Sequence, residues 1–220
     1  MFRWDDCLEG HILLGLIFST LSLVCFILTT FSTPLIKGIY FLSVPISTKS
    51  STLVVKFGSF GYCNRDTCSS TKVGYTQPDG VGEGNEIWNW MTKTHVLYGI
   101  ASLLMLLAIV TLILSLLRVG KFMWNPIYFR TCSLLSTAFA IFAEAFALIN
   151  WVHARHAFDD HGIEAKYGAA LWVGLVGTMF AALRSVLHHA KQEWKIAVIG
   201  GPAYQGRFMY RAHSGVAYNV

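Results

Sequence analysis

Charge is what this 220-residue chain has least of. Asp, Glu, Lys and Arg make up 13% of it, against roughly 25% in soluble domains, so an ordinary soluble fold is excluded. Hydrophobic residues supply 54%, which excludes disorder. The formal net charge is +5, but the bases are scattered and form no run of five. Nucleic acid is therefore excluded as a partner. Chemistry is thinly represented as well. There is no C-x-x-C, so a quinone-linked thiol oxidase, which needs two communicating redox pairs, is set aside. No nucleophile–base pair, cofactor loop or phosphate cradle is evident, and the inner half of the spans lacks the paired histidines or acids of a lipid-modifying enzyme. The chain reads as non-enzymatic, with no cofactor and no metal.

What is present is apolar residue in four blocks. Residues 10–31 and 96–117 contain no Asp, Glu, Lys or Arg. Residues 131–152 carry only Glu144, and residues 167–187 reach Arg184 near their end, where a snorkelling side chain lets the block continue. A hydrocarbon core takes about 20 helical residues to cross, and lipid leaves a spanning segment no alternative to helix here. The expectation is one integral membrane domain over residues 1–220: an all-α membrane fold, a four-transmembrane-helix bundle. A cleaved signal peptide is the rival for the first block, but no small-x-small site precedes Thr33-Pro34.

Short loops set orientation through Lys and Arg. Residues 118–130 hold three bases and no acid, and the tail, residues 188–220, holds Lys191, Lys195, Arg207 and Arg211 against Glu193. Both are expected to be cytoplasmic, with both termini inside. Residues 32–95 and 153–166 then form the extracellular loops. Trp88, Trp90, Trp124, Trp151 and Trp194 fall near span ends, as an aromatic belt would.

In the long outer loop, residues 52–57 and 72–75 are β-branched and aromatic runs between Gly, Ser and Asn, which predicts a small antiparallel β-sheet. Residues 77–80 are a turn signal, and Gly80 to Gly84 read as flexible. Cys63 and Cys68 lie in this loop; a metal or redox pair is the functional reading, a structural disulfide the one that an oxidising exterior favours. Cys25 and Cys132 read as packing residues. Cys7 is a palmitoylation candidate beside the inner surface.

The second outer loop gathers His153, His156 and His161 with Asp159 and Asp160, a set that suggests zinc or pH sensing, although the spacing also suits a solvated helix end. His188 and His189 read as interfacial decoration. Glu144 is the lone intramembrane acid and a functional hypothesis by default. The expectation is a protonated carboxyl hydrogen-bonded across the bundle, with Ser102 or Thr29 as partner and Arg184 too far to pair. Ser136, Ala140, Ala143 and Ala147, and then Ala170, Gly174, Gly177 and Ala181, form two small-residue stripes. These permit close helix packing within the bundle, or between copies in a homo-oligomer.

One span, then residues 32–42, then Phe57-Gly58-Ser-Phe-Gly61-Tyr62-Cys63 with Cys68 and Val73-Gly-Tyr75, resembles the fungal PalI family, which includes the Sur-type eisosome proteins and is distantly related to claudins. The resemblance is strongest over residues 1–117. Gly58, Gly61, Tyr62, Cys63 and Cys68 carry it, through an aromatic-glycine-cysteine signature comparable to that of claudins. It implies a claudin-like bundle in a fungal plasma membrane, acting in ambient-pH signalling or in eisosome and cell-wall organisation. The implied partners are the lipid bilayer and other membrane proteins, either a pH-sensing receptor or eisosome components. Two function classes follow: a membrane scaffold or receptor-accessory protein, and an ion or solute transport or channel component using Glu144.

Overall fold

The computed structural model describes residues 10–48, 51–64, 67–75, 92–116, 126–160 and 162–199. Within them the protein is mostly helical, with an antiparallel sheet at one end. The long helices are α1 (Gly10–Thr30), α2 (Val96–Leu116), α3 (Pro126–Asp160) and α4 (Ala169–Ile199). Each packs on two others, α1 on α2 and α4, α3 on α2 and α4. The directions alternate: Thr30, Val96, Trp151 and Ala169 all lie at the sheet end, so Gly10 and Ile199 lie at the other.

Among the described residues, two helical stretches are long and apolar enough to cross a membrane, Val96–Leu114 and Thr131–Asp160. Leu14–Thr30 and Ala169–Arg184 are shorter apolar helical stretches. Large apolar side chains face outward on every helix: Leu14, Ile17, Leu21 and Val24 on α1, Leu103 on α2, Phe142 on α3, Trp172 and Met179 on α4. Small and hydroxyl residues face inward. Ser22, Thr29, Ala101, Ser136, Ala140, Ala143, Ala147, Ala170 and Ala181 are buried. Phe26, Tyr98, Met105 and Trp151 are buried among them, but large apolar side chains turned outward on every helix are unusual for a water-soluble helical protein.

The sheet has the order β4-β3-β2-β1-β5, every pair antiparallel. Its strands are β1 (Leu42–Thr48), β2 (Ser51–Phe57), β3 (Tyr62–Asn64), β4 (Thr67–Cys68) and β5 (Lys166–Tyr167). Residues 52–57 form β2 as expected. Residues 72–75 are irregular instead of a strand, and the partner of β2 is β1, whose Pro45 disguised it. β5 pairs only with Leu42 and Ser43, so beyond Ser43 β1 is an edge strand, where proline is tolerated.

Two helices outrun their expected spans. α3 continues to Asp160 because nothing in His153-Ala-Arg-His-Ala-Phe-Asp-Asp breaks a helix. Arg155 pairs with Asp159 one turn on, at 3.5 Å, and Ala154 and Phe158 are buried. Gly162, at φ +73°, then ends it: its N–H bonds Asp159 O at 2.9 Å and the Ile163 N–H bonds Phe158 O at 3.0 Å, the Schellman pattern that favours glycine. α4 continues to Ile199, through positions expected in the tail. The Gly80–Gly84 segment, Trp88, Trp90, Trp124, Cys7 and His161 lie outside the described residues.

Candidate functional site

The family-signature residues fasten the sheet to the end of α1. Gly58 N–H bonds Gly61 O at 2.8 Å, and a Cβ on Gly58 would strike the Thr33 carbonyl. Next to it, the Ser59 hydroxyl donates to Thr29 O at 2.8 Å, and the Ser59 N–H donates to Ser32 Oγ at 3.0 Å. The first of these bonds reaches a carbonyl that the last turn of α1 leaves open. A Cβ on Gly61 would meet the Ser69 hydroxyl and, at 3.4 Å, Pro34 Cδ. The Tyr62 N–H donates to Ser69 Oγ at 3.0 Å, and its ring lies 6.1 Å from that of Tyr75. The Tyr75 hydroxyl donates to Gly58 O at 2.8 Å. Burial pushes the Tyr75 phenol well above its ordinary pKa, so it remains a donor. Sequence reasoning took Tyr75 for a strand residue; it is a strut beneath the signature.

Cys63 and Cys68 are bonded to each other, facing across β3 and β4. A disulfide closing so short a loop stabilises by about 2 kcal/mol. Replacing both cysteines by Ser should therefore lower thermal stability by about that amount and reduce surface delivery, with membrane insertion unchanged. Mass mapping of non-reduced peptides from the parent chain checks the pairing itself.

Under the sheet sits an aromatic box. The rings of Phe41 and Trp151 stack at 5.3 Å, and His95 meets both edge-on, at 5.0 and 5.7 Å. The Trp151 indole N–H donates to His95 Nε2 at 3.0 Å, which assigns the ring proton of a neutral His95 to Nδ1. Phe57 of β2 lies 6.4 Å from Trp151. All four side chains are buried. Trp151 is thus a core residue and not part of an aromatic belt. His95 was taken only as the end of the loop, because nothing in its immediate sequence links it to an indole 56 residues away.

Glu144 lies one level deeper. The Tyr98 hydroxyl donates to its Oε2 at 2.7 Å. The expected partners are otherwise engaged: Ser102 bonds Gly99 O and Thr29 bonds Cys25 O, each at 2.8 Å. A hydroxyl one turn nearer the sheet, on a phenol long enough to span the helix gap, wins over a serine. Gly174 makes room: its Cβ would lie 2.8 Å from Glu144 Oε2, 3.1 Å from Tyr98 Oη and 3.5 Å from Thr29 Cγ2. All four helices therefore converge on this carboxyl. Glu144 Oε1 and both polar atoms of Asn150 are buried without a hydrogen-bond partner among the described residues.

The two small-residue stripes lie between helices. The Ser136 hydroxyl donates to Ala101 O of α2 at 2.7 Å, and that of Ser22 donates to Gly177 O at 2.9 Å. A Cβ on Gly177 would come within 2.7 Å of Cys25 Cβ. Arg184 is buried, with Nη1 3.3 Å from Met105 Sδ and its guanidinium 4.3 Å from the Phe129 ring centre. His153, His156, Asp159 and Asp160 are exposed along the end of α3. No group of three metal-binding side chains occurs among the described residues.

The apolar exterior of the helices and the disulfide-linked sheet at one end define a membrane protein. The SUR7/PalI family matches residues 11–184, which takes in all five strands and most of the four helices, and the chain belongs to that family. A comparison with curated proteins finds no match.

Proposed function

We propose that this chain is a four-span, claudin-like plasma-membrane protein. In this reading it acts without catalysis, as a scaffold or receptor-accessory subunit in ambient-pH signalling or eisosome and cell-wall organisation. The observation that carries the four-span reading is the outward apolar surface on all four helices, α1 and α4 included. In water, continuous apolar faces of that size mark a binding surface or an aggregation hazard; in lipid they are the expected exterior. The inward small residues fit the same reading, because helices in lipid associate by close approach. With the basic segments at 118–130 and beyond 188 on the cytoplasmic side, both termini lie inside and the sheet faces out, presented to whatever the cell surface offers.

The role at family level supports a partner-binding function, with a pH-sensing receptor or eisosome components as partners. Affinity capture in mild detergent distinguishes them. A seven-span receptor among the captured proteins supports pH signalling; eisosome coat proteins support domain organisation. Topology has its own test. A protease added outside intact cells should cut the outer loop and spare a C-terminal tag, and loss of the tag would reverse the orientation.

The second reading, a transport or channel component, draws on Glu144 Oε1 and Asn150, buried polar groups on one helix that are not matched within the described residues.

A further inference from the structure

Arg184 is a buried cation that no carboxylate pairs with among the described residues. It is 5% exposed, and its contacts are a thioether sulfur and the face of Phe129. A guanidinium carries five N–H donors and sulfur is a weak acceptor, so most of its hydrogen-bonding capacity remains for something else. Buried charges are ordinarily paired.

Its depth restricts what that partner can be. α4 starts at Ala169, where the Ala170 N–H bonds Tyr40 O at the sheet end. Fifteen residues on, at about 1.5 Å each, Arg184 lies roughly 22 Å away, inside the far leaflet of a core about 30 Å thick. Beyond it the sequence of α4 carries His188, Lys191 and Lys195, four, seven and eleven residues on. Phospholipid phosphates at the rim of that core are the nearest anions that a long arginine side chain can reach, and a guanidinium fork matches their geometry.

We propose that Arg184 binds the headgroup phosphate of a phospholipid in the leaflet opposite the sheet, and that the basic residues beyond it in sequence select anionic headgroups. This rests on the four-span reading. Cationic side chains next to the cytoplasmic leaflet favour anionic lipid for the same electrostatic reason.

Native mass spectrometry of the full chain, extracted in mild detergent with its own lipids, tests it. The parent chain should retain phospholipid, and Arg184→Leu should retain about tenfold less. Its melting temperature should be no lower, since an apolar side chain replaces an unpaired buried charge. A purely structural arginine would give the opposite pair of results, unchanged lipid with lower stability, and would overturn the proposal. Arg184→Lys, which keeps the charge but not the fork, should retain an intermediate amount. The Lys191→Gln, Lys195→Gln double variant should still bind lipid but lose the preference for phosphatidylserine over phosphatidylcholine. Added inorganic phosphate should leave the lipid bound; displacement would assign the site to a soluble anion and defeat the proposal. Carbonate washing of membranes separates the two readings. Release of the chain defeats the spanning reading, whereas a retained chain without bound lipid defeats only this proposal.

Discussion

Gly58→Ala should cripple the protein, while Gly38→Ala should leave it nearly untouched. Both glycines lie in the segment that follows α1, so composition alone gives no reason to distinguish them. The structure does. A methyl group on Gly58 would run into the backbone carbonyl of Thr33, whereas one on Gly38 meets nothing within 4 Å. A clash with a flexible side chain can be relieved by a rotamer change. A clash with backbone requires the segment to move, and this segment is held on both sides. Ser59 is bonded to Ser32 and to Thr29 O, and the Gly58 carbonyl accepts from Tyr75. Overpacking a well-filled site usually costs about 1–3 kcal/mol and sometimes more; with no route for relaxation, about 3 kcal/mol or more is expected here. Thermal unfolding in detergent and the fraction reaching the cell surface measure it. Equal behaviour of the two variants would mean that the signature glycine is not needed for packing.

That contrast also shows how much could be read from the chain. The sheet-side ends of α1 and α2, Thr30 and Val96, lie within a residue of where the apolar runs stop. The small-residue stripes were legible from helical spacing, since both helix faces repeat every 3.6 residues. The disulfide was legible from two cysteines five residues apart in a segment read as an outer loop. Other features depend on residues far apart in sequence. Tyr98 finds Glu144 across 46 positions. Trp151 finds His95 across 56 positions, under Phe41 just ahead of β1, and β1 itself was concealed by Pro45. The length of α3 was misjudged for a different reason. Its last turns are polar outside and carry Ala154 and Phe158 inside, a soluble amphipathic pattern that a search for lipid-facing apolar runs passes over. The neighbours of Arg184 were not legible either, because Met105 and Phe129 lie 79 and 55 positions away in sequence.

Glu144 should tolerate Gln and not Leu. The carboxyl accepts the Tyr98 hydroxyl, and the space beside it is set by Gly174. A glutamine carbonyl accepts the same bond in nearly the same volume, so Glu144→Gln should melt within about 0.5 kcal/mol of the parent. Glu144→Leu removes the acceptor and leaves the Tyr98 hydroxyl buried with no partner at that position. An orphaned buried donor costs about 1–3 kcal/mol, and the upper end is expected because Gly174 and Thr29 leave a branched side chain little room. Adding Tyr98→Phe to Glu144→Leu removes the orphan and should recover part of the loss, a coupling that a double-mutant cycle reads directly. Tyr98→Phe alone should resemble Glu144→Leu in direction, because it strands the carboxyl instead. The measurement is thermal stability in detergent, run beside growth at alkaline pH. The scaffold reading requires growth to follow stability through all four variants. Suppose instead that Glu144→Gln keeps its stability and loses function. Then the ability of this side chain to ionise is what the cell uses, and the buried Glu144 and Asn150 belong to a transport path.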